Sequence, residues 1–130
     1  MVKHVFLSFV EEDKPTVEMF RGQAKNENND LEFDDYSVKV PYDSQDAAYI
    51  RGRIKERINA ASVTICLIGS KTASSRWVDW EVQTAVDLGK VVLGVRLFSS
   101  SSHPIPAVLT RNRKSVYNWD IDAIVAAIGK

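Results

Sequence analysis

Apolar positions fall along this chain in two alternating rhythms. Three runs, HVFLSF at residues 4–9, SVTICLIG at 62–69 and KVVLGVRLF at 90–98, are almost uninterrupted, as expected of parallel strands covered on both faces. The stretches between them repeat at helical spacing instead: Val17, Phe20 and Ala24, then Ala47, Ile50, Ile54 and Ile58, then Val78, Val82, Ala85 and Val86. LEFDD at 31–35 predicts a short second strand, KSVYNW at 114–119 a weak fifth, and DIDAIVAAIG at 120–129 a closing helix.

The punctuation fits these elements. Pro15, after the acidic turn EED, suits a first helical turn, where its missing N–H has no partner to lose. The polar tract KNENND at 25–30 ends that helix, and Asp43 or Ser44 is the expected cap of the second. The third helix should run over about residues 75–88, with Trp77 and Glu81 at the margin of its apolar stripe. Trp80 then falls on the polar side, where so large a ring points to a contact with another subunit. SSSSHPIP at 99–106 reads as a loop.

Strands alternating with crossovers of a dozen or more residues predict an α/β protein, a flavodoxin-like three-layer sandwich around a central parallel five-stranded sheet. In such a sheet the ligand crevice lies beyond the carboxyl ends of the strands, at the switch point flanked by the first and third. The loops there are VEEDK at 10–14 and GSKTASS at 69–75. The second leads directly into RWVDWE at 76–81, where Trp77 and Glu81, four residues apart, share one helix face.

Composition narrows the chemistry. The 130 residues fit one domain spanning 1–130, and 45% of them are hydrophobic, enough for a substantial core. Seventeen basic residues balance seventeen acidic ones, so no long-range field draws the chain to nucleic acid or to an anionic membrane. The apolar runs are strand-sized and predict no membrane span or signal peptide. The single cysteine, Cys66, lies inside an apolar run and cannot form an internal disulfide, which suits a reducing, cytoplasmic setting. His4 and His103 are far apart and form no ligand pair. Asp34, Asp35, Asp43 and Asp46 lack the regular spacing of a calcium loop, so no metal site is expected.

HVFLSF at the start, VTICLIGSKT in the middle and SSRWVDWE after it resemble the Toll/interleukin-1 receptor (TIR) domain, in particular the compact bacterial TIR-like proteins of the Thoeris anti-phage system. The resemblance covers roughly residues 2–97, and its most specific feature is Trp-x-x-x-Glu, here Trp77 to Glu81. It implies an enzyme of the NAD glycohydrolase or ADP-ribosyl cyclase type, with Glu81 as the catalytic carboxylate and NAD as a substrate, so that no cofactor is needed. Such chemistry is physically sensible, because breaking the nicotinamide–ribose bond passes through an oxocarbenium-like state that a carboxylate stabilises. The resemblance also implies a cyclic ADP-ribose signalling nucleotide, a separate effector protein that responds to it, and a homo-oligomer formed through TIR contacts. Substrate-binding positions carried over are Ser8, Phe9 and Val10 at the end of the first strand, Asp34 and Ser44 around the loop that follows the second, Ser70 after the third, and Trp77.

Two other readings compete with this one. Many TIR domains act only by assembly, which would make the chain a non-catalytic protein–protein module. Nucleoside deoxyribosyltransferase-like enzymes share the fold and use a glutamate nucleophile. On residue type alone, Glu81 would be a solvated helix carboxylate and Trp77 a packing anchor.

Overall fold

Apolar runs alternating with amphipathic segments produce a twisted parallel sheet with helices on both faces. The computed structural model describes residues 3–27, 30–36, 40–98 and 102–129. Residues 28–29 of the polar tract, 37–39 of the loop after the second strand and 99–101 of the serine loop therefore lie outside the described residues. The strands are β1 (Lys3–Ser8), β2 (Leu31–Asp34), β3 (Val63–Ile68), β4 (Val91–Arg96) and β5 (Val116–Tyr117). They form one five-stranded sheet in the order β2-β1-β3-β4-β5, with every pairing parallel. This is the flavodoxin-like order, and its reversal of direction falls between β1 and β3.

Strand β3 is the axis of the sheet, and all six of its residues are buried. Helices α1 (Lys14–Glu27) and α5 (Ile121–Ile128) cover one face, where Val17, Phe20, Ile121 and Ile124 pack on Val5, Leu7 and Ile65. Helices α2 (Ala47–Ala60), α3 (Arg76–Asp87) and α4 (Ala107–Arg111) cover the other, with Ile54, Ile58, Val78, Val82 and Leu109 against Phe6, Cys66 and Ile68. Alternation along β1 thus sends Phe6 and Ser8 toward α2 and α3, and Val5 and Leu7 toward α1. Gly94 in β4 lets α4 approach closely, since a Cβ there would sit 2.7 Å from Leu109 Cδ1.

Several local expectations are corrected. Helix α2 starts at Ala47, and its N-cap is Asp46, whose side chain makes no capping bond; neither Asp43 nor Ser44 is the cap. Ser44 holds the preceding turn through its backbone, its N–H donating to Pro41 O and its carbonyl accepting from Ala47 N. Helix α4 was not expected, because a helix of five residues is too short to show a period. Trp80 is not on a wet face: it is half-buried, packs on the α2/α3 cluster and meets Trp77 edge to face at 6.2 Å.

Candidate functional site

The loop after β3 is organised by its own side chains. Thr72 Oγ1 accepts from Gly69 N at 2.8 Å and donates to Leu67 O at 3.4 Å, so the turn closes on the strand it leaves. Ser75 then caps α3, its Oγ accepting from Val78 N at 3.1 Å. That cap fixes the rotation of the helix, and Val78, Glu81, Val82 and Ala85 face the sheet.

Glu81 therefore occupies a core position. It has no exposed surface, whereas the stripe read from sequence left it at the margin and the residue-type reading left it in water. Its partner comes from β1: Ser8 Oγ donates to Glu81 Oε1 at 2.6 Å across 73 residues of chain, and Ser8 is equally buried. This is a short O–H···O hydrogen bond, wholly shielded from solvent. Cys66, which pairs with Ser8 in the β1–β3 register, lies on the same face. Burial, and then the charge of Glu81, push its thiol far up, so it stands beside the carboxylate as a neutral group.

One turn before Glu81, Trp77 ties α3 to the loop that precedes α2. Its Nε1 donates to Val40 O at 2.8 Å, and its ring meets Tyr42 edge to face at 5.1 Å. Tyr42 in turn carries the guanidinium of Arg76 at 4.4 Å and that of Arg51 at 5.0 Å from its ring centroid. Arg76 also pairs with Asp43, which closes the loop over the start of α3. Beside this latch is a groove of about 430 Å³ lined by Phe9, Val10, Glu11, Val40, Pro41, Ser75 and Trp77. It opens at the carboxyl end of β1 beside the start of α3, as the switch-point argument requires. Its walls are mostly apolar, with Glu11 and Ser75 as the polar groups, a composition suited to a flat ring carrying a few hydrogen-bonding atoms.

The expected site residues divide accordingly. Phe9, Val10 and Trp77 line the groove; Ser8 and Glu81 do not, and each is tied to a lining residue along the chain, Ser8 immediately before Phe9 and Glu81 one turn of α3 after Trp77. Ser8 faces the protein interior rather than the groove. Asp34 is not a lining residue; its Oδ1 accepts from Arg57 at 2.8 Å and from Asp35 N at 2.9 Å. Ser70 is exposed and donates to Glu12 at 3.4 Å, and Ser44 is also outside the lining. Glu11, Val40, Pro41 and Ser75 were not singled out as residues, although Glu11 and Ser75 lie in the two loops expected at the crevice and Val40 and Pro41 in the loop that follows the second strand. No group of three or more metal-ligating side chains occurs among the described residues.

A doubly wound parallel α/β domain whose third helix carries a Trp-x-x-x-Glu pair near the switch point, its Glu buried and its Trp half-buried, has the design of a TIR-like domain. The chain belongs to the family described as Thoeris protein ThsB, TIR-like domain, whose model matches residues 6–102. Its fold is similar to that of the TIR domains in the activated Roq1 resistosome directly recognising the pathogen effector XopQ, with a TM-score of 0.63, 16% identity, and coverage of 97% of this chain and 99% of that one. It is also similar to part of a fungal multi-domain GH3 β-N-acetylglucosaminidase with a GCN5-related glucosamine N-acetyltransferase region, with a TM-score of 0.61, 18% identity, and coverage of 98% of this chain but only 14% of that one. No curated protein matches the chain.

Proposed function

We propose that the protein cleaves NAD at the nicotinamide–ribose bond and closes the product into a cyclic ADP-ribose, a signalling nucleotide read by a separate effector in anti-phage defence. The observation that supports this most is the Glu81 carboxyl group, tied to Ser8 by a buried hydrogen bond and carried on the same helix that presents Trp77 to the groove. In the proposed reaction the C1′–N bond breaks and its electron pair leaves with nicotinamide, which departs neutral. The ribose carbon becomes oxocarbenium-like, and the carboxylate of Glu81 stabilises that charge. A nucleophilic atom elsewhere in the same nucleotide then bonds to C1′ and gives up its proton; water in its place yields linear ADP-ribose. The groove holds the flat nicotinamide or adenine ring against Trp77 and Pro41. NAD is consumed as a substrate and no metal takes part. The reading implies a cytoplasmic protein with access to NAD.

One observation favours a second reading. Glu81 has no exposed surface, so contact with a ribose requires the packing around it to part. In a protein that acted by assembly alone, the Ser8–Glu81 bond would be only a tie between strand and helix. Mass spectrometry of small molecules from cells expressing wild type or Glu81→Gln, with and without phage infection, separates the two. A nicotinamide-free ADP-ribose species that appears with wild type and is absent with folded Glu81→Gln supports the enzyme. Equal nucleotide profiles under infection support assembly.

A further inference from the structure

We propose that Ser8 is a positioning residue for the reaction: from the end of β1 it fixes, by its hydroxyl hydrogen, the orientation of the carboxylate that α3 carries. The inference rests on the reading of Glu81 as the catalytic carboxylate and gives Ser8 a role other than touching substrate.

Three observations carry it. Ser8 interrupts an otherwise apolar strand end on a fully covered face, where an unbonded hydroxyl would be costly, and its hydroxyl is spent on Glu81 Oε1 at 2.6 Å. Both residues stand on regular elements, Ser8 in register with Cys66 of β3 and Glu81 in the second turn of a side-chain-capped helix, so the geometry is set by the sheet and not by a loop. Ser8 is also next to Phe9 in the chain, and Trp77 lies one turn before Glu81; Phe9 and Trp77 both line the groove, so the bond joins the two segments that frame it. A donor to the charged form of a carboxylate favours that form. The Ser8 hydroxyl holds the Glu81 carboxyl group in one orientation beside the neutral Cys66 thiol.

The test uses the full chain with glutamate labelled at its side-chain carboxyl carbon by ¹³C, as wild type, Ser8→Ala and Ser8→Thr, the Glu81 resonance being identified by its loss in Glu81→Gln. Ser8→Ala is expected to move the Glu81 titration midpoint upward by about one pH unit, and Ser8→Thr, which keeps the donor, to restore it. NAD turnover should fall about tenfold in kcat for Ser8→Ala with KM changed less than about twofold, the pattern of a lost transition-state interaction. An unchanged midpoint in a folded Ser8→Ala protein would overturn the proposal. Turnover equal in wild type and Glu81→Gln would instead sink the enzymatic reading, and the titration would still decide whether Ser8 controls the carboxylate.

Discussion

The indole nitrogen of Trp77 donates a hydrogen bond of 2.8 Å to the carbonyl oxygen of Val40, joining the first turn of α3 to the loop before α2. That bond holds Val40 against Trp77, both of which line the groove, and the Tyr42 ring packs edge-on against the indole at 5.1 Å. Trp77 thus combines the two roles that residue type left open, since it anchors the loop and also faces the cavity.

Replacing Trp77 with Phe keeps most of the apolar contact and removes the N–H donor. The expected loss is about 1 kcal/mol of global stability, the net worth of one neutral hydrogen bond. Loosening of the loop should be larger than this global figure implies. Chymotrypsin cleavage after Tyr42 should accelerate in Trp77→Phe under native conditions, and equal cleavage rates in the two proteins would show that the loop is held by something else.

The fold was legible because parallel strands buried on both faces leave a signature that survives without an alignment: VTICLI is apolar throughout, and all of it is buried. Glu81 was legible as chemistry but not as a core residue. It stands three residues after Val78, a spacing that belongs to the buried stripe, yet its charge weighs against burial in any reading by hydropathy. Its partner was harder still, because a serine 73 residues away carries no local mark of the contact. The groove wall from Val40 and Pro41 depends on how the loop folds back onto Trp77, which periodicity does not encode.

Cys66 offers a probe of core closure beside the site. It is fully buried, and its thiol is pushed strongly up by burial and by Glu81, so the thiolate that reacts with electrophiles is scarce in the folded protein. A disulfide reagent such as DTNB should label it at least ~100-fold more slowly in the native protein than in urea, in line with exchange through rare opening. Rapid native labelling would mean that the face shared by Ser8, Cys66 and Glu81 opens readily.

Gly69 is required by a neighbour across the switch point. A Cβ at this position would overlap the carboxylate of Asp13, which packs over the glycine from the β1–α1 connection. Gly69→Ala is expected to cost about 1–3 kcal/mol, as for other overpacked sites. Most of that loss should disappear in an Asp13→Ala background, because the clash is with that side chain. Urea denaturation of the two single variants and the double variant gives the coupling. Additive losses would place the strain in the backbone of the turn instead.

Asp13 itself makes stability depend on pH in an unusual direction for an aspartate. It is almost fully buried, and its Oδ2 has no hydrogen-bond partner among the described residues. Burial, reinforced by the charge of Glu12 and partly opposed by His103, raises its pKa above the ordinary value. In the interval between the unfolded and the folded pKa, the folded state binds more protons than the unfolded one. This contribution therefore destabilises the fold as pH rises through that interval, and it is absent below the unfolded value. Asp13→Asn, a neutral isostere, should raise the urea midpoint at pH 7 and lose the advantage as pH falls into the range where free aspartate is protonated. A variant that is less stable at pH 7 would mean that the ionised carboxylate is held by an interaction worth more than its burial costs.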